Sequence, residues 1–365
     1  MTHRETTASV TAIPPLGVIE GFFGRHWPWS ARRDYAGFLA EHNFDFYLYA
    51  PKADPYLRRE WQQDWPEPEW NELRRLRASY RQAGIRFGIG LSPLELYRQP
   101  SPESHRLLEQ KVRRINELEP DILCLLFDDM RGDLPELALR QAELATTAAE
   151  VTSATQLILC PTYYSLDPVL EKVFGARPAH YWETLGRQLP DQVDVFWTGP
   201  KVCSTDYPRE HLLEVSEWLR RKPFLWDNYP VNDSAEKSQL LQLMAYPESH
   251  TGLRGLVAGH AVNPMNQPAL SKIPLRTLPQ AYREGDRYRP VEAFAEACHA
   301  QCPPDLARQL IADQATFQDR GLAQMDQQER QSVRSHYEAF TQPEARELRD
   351  WLNGDYAFDP ACLTD

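Results

Sequence analysis

The feature that most restricts how this chain can fold is an alternation running from about residue 16 to residue 285. Short apolar runs occur at Leu16–Phe23, Phe44–Ala50, Arg86–Leu91, Asp121–Phe127, Gln156–Cys160, Val193–Trp197, Pro223–Trp226 and Leu253–Ala258. Each holds four to eight residues rich in Ile, Leu, Val, Phe or Tyr, the pattern of parallel strands buried on both faces. Charged, helix-favouring stretches separate them, most clearly Ser30–His42, Pro68–Ala83, Pro102–Leu118, Leu134–Val151 and Arg209–Arg221. Ser30 and Ser101 suit helix N-caps, Pro102 suits a first turn, and Gly84 is a natural stop. Eight strand candidates with intervening helices predict an α/β fold, a (β/α)8 TIM-type barrel over residues 14–285. A doubly wound open sheet is the alternative, but no GxGxxG follows the first strand.

Residues 286–365 read differently. They hold no convincing strand, and Val291–Gln301, Pro304–Arg320 and Gln327–Leu352 read as helices of a small C-terminal extension without a chemical motif. The 365 residues suffice for one barrel plus such an appendage. A formal net charge of -12 gives no phosphate attraction, which argues against nucleic acid as a partner. The basic clusters Arg74-Arg75 and Arg220-Arg221-Lys222 read as solvated helix faces. No stretch reaches the roughly 20 apolar residues of a membrane span. The opening MTHRETTASVTAIPPLG has no apolar leader core, which points to the cytoplasm. Six cysteines in a chain this long do not suggest a disulfide scaffold. Cys298 and Cys302 flank His299 at helical spacing, but with no second ligand pair they read as buried thiols.

In a barrel, chemistry sits where strands end at the C-terminal face. The strand ends offer Gly21 and Gly24; Lys52 and Asp54; Asp128 and Asp129; Tyr163 and Tyr164; Trp197 and Lys201; Trp226, Asp227, Asn228, Asn232 and Asp233; and His260, Asn263 and Asn266. This set holds no Ser-His-Asp arrangement, no P-loop and no run of His ligands. Aromatics with Asp and Asn suit a sugar, whose CH faces pack on rings and whose hydroxyls need polar partners. Asp128-Asp129 is the sharpest local feature. Two carboxylates held together raise one pKa and supply a neutral acid near pH 7, as glycosidic cleavage needs. Neighbours on a regular strand point to opposite faces, so both serve one site only if the chain leaves strand geometry there.

Together GVIEGFFGRHW, YLYAPKAD, LLFDDM, CPTYY, WTGPK, LWDNYPVND and NPM resemble, in order over residues 16–285, glycoside hydrolase family 84. This family holds protein O-GlcNAcases and bacterial β-N-acetylglucosaminidases, some described as hyaluronidases. The resemblance implies an exo-acting, retaining β-N-acetylglucosaminidase in which the substrate's 2-acetamido oxygen attacks the anomeric carbon to form an oxazoline. It assigns Asp128 to the acetamido N–H and Asp129 to general acid and then base. It places the Gly21 carbonyl and Lys52 at the sugar 3-hydroxyl, and Tyr164, Trp226 and Asn228 at the acetamido end. Asp233 and Asn263 take the 4- and 6-hydroxyls. Trp197 and Lys201 are supporting and Asp227 structural. The scheme needs no metal and no organic cofactor. Its partner is a β-GlcNAc glycoconjugate, with glycosylated protein as one class, and neither nucleic acid nor membrane. Phe23 stands where many relatives have tyrosine, and Ala53 where an acidic residue is expected.

Three other readings stay open at this point. The chain could act on another N-acetylhexosamine conjugate, bind carbohydrate with weak or no catalysis, or serve as a scaffold for its C-terminal helices.

Overall fold

The computed structural model describes residues 12–98 and 101–359. The reading of the N-terminal leader falls on residues 1–11, and the end of the extension on residues 360–365, all outside the described residues.

Eight parallel strands close into a barrel in chain order. They are β1 Leu16–Glu20, β2 Phe46–Tyr49, β3 Arg86–Leu91, β4 Ile122–Leu126, β5 Gln156–Cys160, β6 Val193–Trp197, β7 Phe224–Asp227 and β8 Gly259–Val262. Closure comes from β1 on β8, with Leu16 opposite His260 and Val18 opposite Val262. Nearly every strand residue is buried, because helices cover the outer face and side chains fill the inner one. The covering helices are α1 Trp29–Glu41, α2 Glu67–Ala83, α3 Pro102–Asn116, α4 Leu137–Val151, α5 Pro168–Phe174, α6 Tyr181–Gln188, α7 Arg209–Leu219 and α8 Pro268–Glu284. Ser101 caps α3 by accepting from the Ser104 N–H, and Gly84 ends α2 in the left-handed region.

The eighth strand is Gly259–Val262 rather than Leu253–Ala258. Leu253, Leu256 and Val257 are buried, as their apolar character implied. They belong, however, to a tight turn over Glu248–Leu253 and the bend after it, where Gly255 has φ 76°. Strand pairing begins where Gly259 meets Phe224; a Cβ there would fall 2.2 Å from the Phe224 ring. A second correction concerns Arg221. It is half-buried, not solvated, and donates to the Leu219 and Pro190 carbonyls at 2.9 Å each. Arg220 ends α7 at φ 55° and turns the chain back on itself.

The extension holds α9 Pro290–Gln301, α10 Pro304–Ala315, α11 Gln327–Ser335 and α12 Pro343–Leu352. The single helix expected over Gln327–Leu352 is two helices: α11 ends at Ser335, and Pro343 opens α12 from its first turn. These helices share an apolar core with Leu241 and Leu243 of the β7–β8 connection and with Leu270 and Ile273 of α8. Cys298 and Cys302 lie buried in that core as free thiols, while His299 is exposed. Polar ties reinforce the packing. Glu347 accepts from the Ala269 and Leu270 N–H groups at 2.9 Å each, and the Trp351 indole donates to the Ser238 carbonyl at 3.0 Å. Among the described residues no helix is long and apolar enough to cross a membrane.

Candidate active site

A cavity of about 410 Å³ opens at the C-terminal face of the barrel, within the roughly 300–1,000 Å³ range of ligand pockets. Its walls include all the residues nominated above: Gly21, Lys52, Asp128, Asp129, Tyr164, Trp226, Asn228, Asp233 and Asn263.

The chain leaves strand geometry where two neighbouring carboxylates must face one site. β4 ends at Leu126, and Asp129 sits at φ 56°. Few residues other than glycine adopt that region, and Asp is among those that do. The turn brings both side chains to Lys52. The Lys52 ammonium pairs directly with Asp128 and lies 3.2 Å from Asp129 Oδ2. Asp128 is buried, whereas the Asp129 side chain is 26% exposed toward the pocket. Arg58 holds the turn by donating to the Asp129 carbonyl at 3.2 Å.

Burial pushes the Asp128 carboxyl above its ordinary range; the Lys52 charge opposes this and the Asp129 charge adds to it. Burial also acts on Asp129, but the Lys52 and Arg58 charges outweigh it and hold that carboxyl below its ordinary range. Burial pushes Lys52 down, yet its two carboxylate neighbours keep it raised and charged. The two carboxyls are thus shifted in opposite directions, the deeper one up and the outer one down, whereas a general acid at Asp129 needs its own carboxyl raised. Asp128 Oδ1 is buried and has no hydrogen-bond partner. Such an atom normally costs about 1–3 kcal/mol, more when charged.

The opposite wall is locked by amides. Asn228 Oδ1 accepts from the Trp226 indole and from Asn263 Nδ2, both at 3.0 Å, while Asn228 Nδ2 donates to the Val202 carbonyl at 2.8 Å. The indole can only donate and the carbonyl can only accept, so this amide orientation is fixed by chemistry. Trp226 therefore meets a ligand with carbon alone. Asn263 Oδ1 accepts from the Gly21 N–H at 3.2 Å. Gly21 is required here because a Cβ would fall 2.4 Å from the Trp226 ring. Asp233 Oδ2 accepts from the Phe23 N–H at 2.9 Å, and burial raises its carboxyl. Tyr164 is buried, and burial raises its phenol well above the usual range, so it stays protonated.

Other rim residues hold loops instead of lining the cavity. Asn266 Nδ2 donates to the Phe23 and Arg25 carbonyls at 2.9 and 3.1 Å, and Asn232 Nδ2 donates to Gln267 Oε1 at 2.9 Å. Trp197 is buried with its indole on His211. Lys201 is exposed and its backbone is tied to Ser204. Sequence reasoning missed Val202 and Cys203, just beyond WTGPK, and Ser234 and Ala235, just beyond Asp233. Reading each motif two residues further would have found them. Phe358 also lines the cavity. It comes from the C-terminal extension, where no motif marks it.

Among the described residues, one cluster has the residue types to hold a metal: Asp227, His250 and His260. Its ligand atoms are spaced for direct hydrogen bonds. His250 Nε2 and His260 Nε2 lie 2.9 and 3.1 Å from Asp227 Oδ2, where tetrahedral ligands about 2.0–2.1 Å from zinc would stand about 3.3 Å apart.

A family model described as beta-N-acetylglucosaminidase matches residues 16–312. The protein O-GlcNAcases of Rattus norvegicus and Mus musculus are each 29% identical over 276 residues, which is 73% of this chain and 30% of theirs. This chain thus spans about 30% of the length of those curated relatives. A solved structure of a mutant O-GlcNAc hydrolase from Thermobaculum terrenum is 30% identical, with a TM-score of 0.76, and the match covers 93% of this chain and 80% of that one.

Proposed function

The chain belongs to the β-N-acetylglucosaminidase family of glycoside hydrolases, and from that premise we propose that it removes terminal β-linked N-acetylglucosamine as an exo-acting, retaining, substrate-assisted hydrolase. The observation that carries this reading is Asp128 Oδ1, an acceptor buried in the pocket wall with no partner. An acetamide N–H is a donor of the right kind to satisfy it.

In the proposed reaction, Asp128 accepts the acetamide N–H and turns the acetamide oxygen toward the anomeric carbon. That oxygen attacks while Asp129 protonates the glycosidic oxygen, and the aglycone leaves as an alcohol. Water then attacks the anomeric carbon, giving a proton to Asp129 and breaking the bond from that carbon to the oxazoline oxygen, so the acetamide re-forms and the β configuration is retained. Both carboxylates reach one ammonium at no more than 3.2 Å, which keeps them closer than the roughly 6.5–9.5 Å of an inverting pair.

Asp129 must hold a proton for the first step, so bound substrate has to raise its carboxyl. An N–H donated to Asp128 favours its ionised form, and a sugar that excludes water while drawing Lys52 to its 3-hydroxyl raises Asp129. Tyr164 and Trp226 enclose the acetamide. Asn228 acts by holding Trp226 and Asn263, since its own oxygen is fully used. Asp233 and Asn263 keep free valences for the 4- and 6-hydroxyls, and the Gly21 carbonyl takes the 3-hydroxyl. The catalytic unit is residues 14–285, with 286–365 as a helical buttress. O-GlcNAc on Ser or Thr of proteins is the substrate class that the relatives' names suggest.

The test is release of a poorly activated phenol, one that needs a proton to leave, from an aryl β-N-acetylglucosaminide by wild type and by Asp129→Asn. Release by wild type, strongly reduced in the variant, is the expected result. No release by folded wild type overturns the enzyme reading and leaves sugar binding to be measured in its place.

A further inference from the structure

Asp227, the last residue of β7 and the one between the pocket residues Trp226 and Asn228, has no place in the reaction just described, yet its carboxylate accepts three hydrogen bonds from its own chain. It is fully buried. Its Oδ2 accepts from His250 Nε2 at 2.9 Å and from His260 Nε2 at 3.1 Å, and its Oδ1 accepts from the Tyr229 N–H at 3.0 Å. An ionised carboxylate can only accept, so both imidazoles present N–H at Nε2. Each Nδ1 then faces a hydroxyl, Tyr282 at 3.1 Å for His260 and Ser249 at 3.4 Å for His250. One carboxylate therefore joins β7, the 248–253 turn, β8 and α8. Burial pushes Asp227 up, but the two imidazole donors outweigh it and hold its carboxyl below the ordinary range.

The same carboxylate fixes the start of the 228–230 turn through the Tyr229 N–H. Asn228, the first residue of that turn, receives the Trp226 indole and Asn263 and pins Val202. We infer that Asp227, oriented by His250 and His260, is a positioning residue that sets the Trp226–Asn228 wall against the acetamido group. This inference rests on the proposed reading of the pocket. Its consequence is specific. The wall should matter most when the acetamide has folded onto the anomeric carbon, and less for the extended ground-state sugar, which the Asp233 side also holds.

Asp227→Asn tests this by swapping one acceptor oxygen for a donor. Whichever way the amide turns, its NH2 faces an N–H, either that of Tyr229 or those of the imidazoles. On folded protein, kcat for an aryl β-N-acetylglucosaminide should fall roughly tenfold with KM within about twofold. Affinity for a fused thiazoline analogue of the oxazoline should fall by the same factor as kcat. An unchanged thiazoline Ki, or KM and Ki raised equally, overturns the inference. Should Asp227→Asn fail to fold, His260→Gln and His260→Leu replace it. Glutamine keeps an N–H toward Asp227 and should retain kcat within about threefold, while leucine should lose it as above. Equal kcat in the two His260 variants also overturns the inference. An inactive wild type would instead remove the reading of the pocket on which it rests.

Discussion

Two buried aspartates end two strands of the same barrel, and they differ in how their oxygens are used. Asp227, the last residue of β7, receives three N–H groups, leaving neither oxygen open to the pocket. Asp128 after β4 spends one oxygen on Lys52 and leaves the other buried without a partner. A carboxylate that is fully served by its own chain is a strut. One held ionisable beside a lysine, with an acceptor left open toward a cavity, is ready for a ligand donor. Asp128 lines the cavity and Asp227 does not; the part inferred for Asp227 is to hold the wall that the open acceptor works against.

The largest effect that separates the two belongs to Asp129, the partner of the open acceptor. Asp129→Asn should lower kcat by roughly 10²–10⁴ for substrates with poor leaving groups and much less for activated aryl glycosides, whose oxygen needs no proton. Equal damage across leaving groups, measured as a kcat/KM series, would remove the acid role. Next comes Asp128→Asn. It keeps the shape but cannot orient and charge-stabilise the acetamide N–H, so kcat should fall roughly 10²–10³-fold, the range for losing one preorganised electrostatic contact. Here the loss should be similar for good and poor leaving groups, and that contrast with Asp129 is the sharper test. The roughly tenfold loss expected for Asp227→Asn stands third, and a loss matching Asp128→Asn would erase the distinction between strut and open acceptor.

The smallest effect concerns stability rather than turnover. Glu347 of α12 is also a strut, with each oxygen on a backbone N–H of α8. Burial is the larger influence and pushes its carboxyl from 4.5 up to about 7. Between those values the folded chain holds a proton that the unfolded chain has released, so stability falls as pH rises through that window and is flat above it. The loss is on the order of 3 kcal/mol. Thermal unfolding between pH 5 and pH 8 should show the decline in wild type and a flatter profile in Glu347→Gln. A Tm that rises over this window in wild type, relative to the variant, would contradict the sign.

The barrel was legible because fully buried parallel strands leave short apolar runs at regular spacing. Strand eight was misplaced because burial, not strand pairing, is what an apolar run reports; Leu253 and Val257 are buried in a turn. Helix α8 was not picked out, since Pro274 and Pro279 inside it argue against a helix that packing nevertheless enforces. The nominated pocket residues meet in one cavity because each follows a strand at the same face. What the sequence hid were dependencies between distant segments. Phe358 reaches the pocket from the extension, and His250 and His260 serve a carboxylate more than twenty residues away. The opposite shifts of the two Asp carboxyls were hidden too, because they depend on where Lys52 and Arg58 lie in space.

The central claim is that Asp128 grips an acetamide that is itself the nucleophile. Hydrolysis of aryl β-N-acetylglucosaminides with mono-, di- and trifluorinated acetyl groups tests it most directly. The account predicts a steep fall in kcat with each fluorine, because the attacking oxygen loses electron density, and a comparably steep fall in Asp128→Asn from a lower starting rate. A flat response in wild type would contradict substrate assistance and with it the role given to Asp128.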